Sequence, residues 1–98
     1  MSLSNKYCWE SDPAHAWLCV DLGEVFKAGI AHKVSHYSFV DASRGLAYLE
    51  EDRDAGLFLN AIGWVDTRQL EIPDNYTDRS SPIRGLPRFV NLLSEEGK

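Results

Sequence analysis

The segment Ala47–Ala61, AYLEEDRDAGLFLNA, gathers four carboxylates between two apolar stretches: Glu50, Glu51, Asp52 and Asp54. Acids this close together could ligate a metal, act as an acid–base pair or start a helix. A calcium loop of the EF-hand type needs oxygen ligands at alternate positions and a distant bidentate Glu. Asp52 and Asp54 fit two of those positions, but Gly56 stands at the third and Gly63 where the Glu should fall. A glycosidase-type pair would need two of the acids to face each other across a cleft. The helix start has the simplest cause. Leu57, Phe58, Ala61 and Ile62 follow at helical spacing, and Gly63 supplies a stop. Asp52 or Asp54 is therefore expected as the N-cap, accepting hydrogen bonds from free amides of the first turn. Glu50 and Glu51 lie near the positive end of the same helix dipole. No metal and no cofactor is expected.

The histidines and cysteines offer less. His32 and His36 lie in a strand-like stretch, where residues four apart stand roughly 13 Å from each other, too far to share a metal. His15 and Cys19 meet the same obstacle. A Cys–His nucleophile would need Cys19 beside a histidine from another element. Cys8 and Cys19 are the only cysteines, too few for a disulfide scaffold, and two free thiols are expected.

The stretch TDRSSPIRGLPR holds Arg79, Arg84 and Arg88 beside Asp78, Thr77, Ser80 and Ser81. Guanidinium groups and hydroxyls in this pattern suit an acidic partner surface or an anion, held by charge-assisted hydrogen bonds. The alternative is that these arginines pair with the acidic body and pin the tail to it. Residues 1–76 carry six Lys/Arg against twelve Asp/Glu, whereas residues 77–98 carry four against three. The reading therefore divides the chain into a body, 1–76, and a polar, basic arm, 77–98, within one domain.

These side chains need a scaffold. HAWLCVDL alternates as a strand does, with Ala16, Leu18 and Val20 on one face and Trp17 and Cys19 on the other. GEVFKAGI predicts a short helix that Gly29 ends. HKVSHYSFVD predicts a second strand, ASRG a turn with Gly45 at positive φ, and LAYLEE the return strand of a hairpin. After the second helix, Arg68–Ile72 predicts a last strand ended by Pro73. Tyr7–Glu10 could add an edge strand, and RFVNLLSEEG a short C-terminal helix. The fold class is α+β, and the order of elements matches a ferredoxin-like βαββαβ sheet with both helices on one face.

Composition narrows the function. The 98 residues carry a formal charge of −5 and are 44% hydrophobic, enough for one modest core. The acidic balance argues against a nucleic-acid binder and favours basic partners. Nothing approaches the roughly 18 apolar residues of a membrane span. MSLSNKYCWE lacks the apolar core of a signal peptide, so cytoplasmic localisation is expected.

WLCV, AYLEEDRDAGLFLNA and TDRSSPIR together resemble a pattern in small hypothetical proteins of bacteria, their phages and plasmids. The resemblance spans residues 16–84 loosely. It implies a bacterial or mobile-element origin. By analogy it also implies a non-enzymatic protein that binds a host protein, as an inhibitor of a defence complex or an accessory factor. A homodimer is compatible with that reading. Two alternatives are a small enzyme using Glu50–Asp54 or Cys19, and an acidic DNA mimic. For the mimic the charge is weak, about one net charge per 20 residues.

Overall fold

The computed structural model describes residues 7–63 and 72–90. It shows a small α+β domain built on one five-stranded mixed sheet. The strands are β1 (Cys8–Ser11), β2 (Ala16–Asp21), β3 (Phe39–Asp41), β4 (Leu46–Glu50) and β5 (Asp74–Tyr76). The helices are α1 (Leu22–Lys27) and α2 (Asp54–Ala61), with short 3₁₀ turns at Ala31–Lys33 and Pro82–Gly85. The sheet order is β3-β4-β2-β1-β5; all neighbours are antiparallel except β1 and β5.

The alternation in β2 sorts the sheet into two faces. Leu18 and Val20 point to the first, where Val25 of α1 and Ala55, Phe58 and Leu59 of α2 cover them together with Val40, Ala47 and Leu49. Both helices thus lie on one face. Trp17 points to the second face, with Tyr48 beside it and Cys19, Phe39 and Leu46 partly buried around them. The β3–β4 hairpin turns through Gly45 at φ 67°, and α1 is followed by Gly29 at φ 77°, backbone that glycine adopts without a Cβ penalty.

The sheet departs from expectation in two places. The N-terminal strand is not at an edge: β1 is hydrogen-bonded between β2 and β5. It holds the place beside the central strand that a ferredoxin-like order gives to the strand after the second helix. The strand expected at Arg68–Ile72 lies outside the described residues, except Ile72, which is in no strand. The next strand, Asp74–Tyr76, lies in a stretch with loop composition; its partner is the parallel β1, a long-range pairing that composition does not announce.

The strand expected over 32–41 also shrinks to Phe39–Asp41. Its first half is captured from elsewhere. Asp54, 2% exposed at the start of α2, accepts the backbone N–H of Ser35 at 3.0 and 3.1 Å and the Ser35 hydroxyl at 2.7 Å. The Ser38 hydroxyl also donates to it. Hydroxyl and carboxylate side chains that bond nearby backbone offer it an alternative to a sheet ladder, and here that alternative wins over four residues. Asp54 is therefore not a cap: Arg53 holds the N-cap position, and no side chain, neither Asp52 nor Asp54, caps the helix.

The C-terminal segment is a strap. From β5 at one edge of the sheet, the chain crosses the second face through the 3₁₀ turn Pro82–Gly85 and reaches the opposite edge. There Val40 N–H donates to Pro87 O and Phe89 N–H to Ser38 O, both at 2.9 Å, an antiparallel bridge alongside β3. The chain so covers the β3 edge of the sheet, which would otherwise invite pairing with other chains. Ser81 starts the 3₁₀ turn by accepting the Ile83 N–H, with Pro82 at the first helical position. That turn seats Ile83 against Trp17 and Tyr48. Phe89, fully buried, enters the core on the other face. Residues 81–89 thus fold back on the body. The helix expected over 88–97 lies outside the described residues beyond Val90. No helix among the described residues is long and apolar enough to cross a membrane.

Candidate functional site around Glu50

On β4 the alternation that sends Ala47 and Leu49 into the first face sends Leu46, Tyr48 and Glu50 to the second. Glu50 ends the strand directly opposite Trp17 of β2. The flanking bond from Glu51 N–H to Ala16 O makes Trp17–Glu50 a non-hydrogen-bonded pair, the kind whose side chains stand closest. Glu50 is 5% exposed. Its backbone N–H donates to the Ser38 hydroxyl at 2.9 Å. Its carboxylate has no hydrogen bond and no ion pair among the described residues.

Two adjoining depressions open above this carboxylate. One, about 150 Å³, is lined by His15, Trp17, Tyr37, Phe39, Glu50, Arg84 and Arg88. The other, about 260 Å³, shares His15, Tyr37 and Glu50 and adds Asp52 and Arg53. Each is smaller than the roughly 300 Å³ at which sites for drug-sized ligands begin, so each suits one side chain. Trp17 and Phe39 are the held walls, and His15 and Tyr37 the exposed ones. Trp17 Nε1–H donates to Tyr37 O at 3.1 Å, Trp17 and Phe39 meet edge to face at 6.0 Å, and His15 lies 5.9 Å from Trp17. Three guanidinium groups lie against rings of this rim: Arg84 over Trp17 at 5.3 Å, Arg88 over Phe39 and Arg53 over Tyr37, both at 5.8 Å.

The sequence groups Arg79, Arg84, Arg88 and Asp78 as one recognition arm; the structure separates them. Arg84 is committed to the body through Asp12, in the turn between β1 and β2. Its Nε–H and Nη2–H donate to the two Asp12 oxygens at 2.8 and 3.0 Å. Asp12 also accepts the backbone N–H groups of Ala14, His15 and Ser81. The guanidinium bonds, then the Ser81 amide, hold its carboxyl well below the usual carboxylate range. Arg88 donates to His36 O at 2.8 Å and stays exposed at the rim. Arg79 and Asp78 lie on the exposed loop that precedes the strap. The pinned-tail alternative thus describes Arg84, and a free arm does not.

The cysteines face each other as cross-strand neighbours on β1 and β2, both as free thiols. Burial, with the Glu10 charge, pushes the Cys19 thiol up to about 11, and burial raises Cys8 as well. A thiolate is needed for nucleophilic attack, so Cys19 is poorly placed as a nucleophile. Against the ordinary value of 9.0, Cys19 should hold roughly 100-fold less thiolate at neutral pH. Alkylation of folded protein by iodoacetamide should be slower than that of a model peptide by about this factor. A rate equal to the peptide's would contradict the buried environment.

Among the described residues, no group of three His, Cys, Asp or Glu side chains could hold a metal ion. Glu50 was visible in the sequence only as one of four crowded acids. The alternation through Leu46 and Tyr48 was the signal that set it apart. Asp12 and Tyr37 gave none, because each acts through a segment remote in the chain. The chain matches no protein-family model, no curated protein and no solved structure.

Proposed function

We propose that this chain is a non-enzymatic protein-binding module that engages its partner through the strapped face of the sheet, around Glu50. One observation carries the reading: Glu50, 5% exposed as a residue, presents a carboxylate with no bond of its own among the described residues to an open depression with aromatic walls. Such a carboxylate is free to accept a charge-assisted hydrogen bond from an incoming partner group. The groups an enzyme would draw on are otherwise engaged: Asp54 is consumed by Ser35 and Ser38, and the Cys19 thiol is held protonated. A DNA mimic needs a dense array of outward carboxylates, whereas the net charge here is −5 over 98 residues. The resemblance noted above supports the finer form of the proposal. In that form the module is a cytoplasmic inhibitor of, or accessory factor to, a host complex, encoded on a mobile element.

The test is site-directed photo-crosslinking in a bacterial host. A photoreactive phenylalanine analogue replaces Tyr37, at the rim, or Phe26, which is 42% exposed on α1 and so on the other side of the sheet. A discrete protein adduct is expected from position 37 alone and should disappear when Glu50→Gln is added. Equal adducts at both positions, or an adduct indifferent to Glu50, would sink the assignment of this face.

A further inference from the structure

The walls and charges of the pocket narrow what it can take. We infer that it receives the guanidinium of an arginine side chain from the partner protein, pairing with Glu50 between the aromatic walls; this rests on the binding reading above and deepens it. Glu50 sets the sign of the ligand. Its carboxylate lines the depression without a bond of its own among the described residues, and a cation or a strong hydrogen-bond donor is what completes it. The neighbouring cations do not: Arg84 is cancelled by its bidentate bonds to Asp12, and Arg53 shares its depression with Asp52. Arg88, exposed at the rim and turned to His36 O, is left as the competing positive charge.

The shape favours arginine over lysine. Trp17, Tyr37, Phe39 and His15 wall a depression of about 150 Å³, room for a planar head and the end of its stem. A guanidinium presents a flat face to aromatic rings and a two-pronged edge to a carboxylate, whereas an ammonium is a compact, strongly hydrated point charge. The surrounding surface already uses this chemistry three times, with Arg53, Arg84 and Arg88 each over a ring.

The test is a titration followed by ¹H–¹⁵N NMR, reading the indole Nε1–H of Trp17. The probes are four blocked tripeptides with central arginine, lysine, citrulline or glutamate. The arginine peptide should give a saturable shift in the millimolar range. The citrulline peptide, of the same shape without the charge, should bind about 10-fold more weakly, as should the arginine peptide to Glu50→Gln protein; the lysine peptide should fall between. The amide spectrum of Glu50→Gln confirms that it remains folded. A saturable shift from the glutamate peptide instead would show that the rim arginines set the specificity. That result would overturn the arginine inference and leave the face in place as a binding surface. Arginine binding unaffected by Glu50→Gln, or no saturable shift from any peptide, would also overturn it, whatever crosslinking shows for the face.

Discussion

Asp54→Ala should destabilise the protein by about 4 kcal/mol, most of what a domain of this size has to lose. Asp54 joins three parts of the fold. It begins α2, holds Ser35 by backbone and hydroxyl, and holds Ser38, whose hydroxyl accepts the Glu50 N–H of β4. Truncation strands the buried Ser38 hydroxyl and the half-buried Ser35 amide and hydroxyl. Hydrogen bonds to a charged group are worth about 1.5–3 kcal/mol each, and loss of a shared acceptor does not add fully. Asp54→Asn keeps the shape but sets an amide N–H₂ among donors, and should cost about half as much. Asp52→Ala, at an exposed position, should stay within about 0.5 kcal/mol of the parent. Urea unfolding measures all three. Equal losses at 52 and 54 of about 1 kcal/mol would restore the capping role to these residues and remove the network from the account.

Asp12→Ala should cost about 3 kcal/mol and free the strap. Its carboxylate, 1% exposed, accepts five hydrogen bonds, three of them from backbone. Arg84→Ala should cost less, about 1.5 kcal/mol, because the backbone donors remain and the guanidinium is 36% exposed. The pair also dictates a pH dependence. Arg84 and the Ser81 amide depress the folded-state pKa of Asp12 below its unfolded value. Its contribution is therefore complete above the unfolded pKa, about 3.9, and is lost as pH falls toward the folded one. The urea midpoint of the parent should drop steeply below about pH 4, and Asp12→Asn should flatten that part of the profile. An unchanged acid profile in Asp12→Asn would show that the clamp does not hold the strap.

The elements legible in the sequence are those whose cause is local. The alternation of Leu18 and Val20 against Trp17, the Gly45 hairpin and the span of α2 each act within a few residues and appear where expected. The buried face of α2, however, is Ala55, Phe58 and Leu59, while Ala61 and Ile62 of the expected stripe stay exposed. What was not legible depends on partners far along the chain. Residues 32–38 have the composition of a strand, but Asp54, 16 to 19 residues away, takes the hydrogen bonds of Ser35 and Ser38. Asp74–Tyr76 has the composition of a loop and becomes a strand because β1 offers it a parallel edge. Arg84 is one of three similar arginines until the fold brings Asp12 to it from 72 residues away. The alternation through Leu46 and Tyr48 marks the face of Glu50, but what it meets there, Trp17 directly opposite, follows only from the register of β4 with β2.

If Glu50 serves recognition at the expense of the fold, its replacement should show in a single melting curve. A largely covered Glu whose carboxylate has no bond of its own should cost the free protein some stability, as groups held ready for a ligand often do. Glu50→Gln removes the charge at nearly constant volume. Its melting temperature should rise by roughly 4–8 °C, the equivalent of about 1 kcal/mol in a domain of this length. A fall of similar size would show that Glu50 supports the fold through the surrounding arginines, and would contradict its role as the group that awaits a partner.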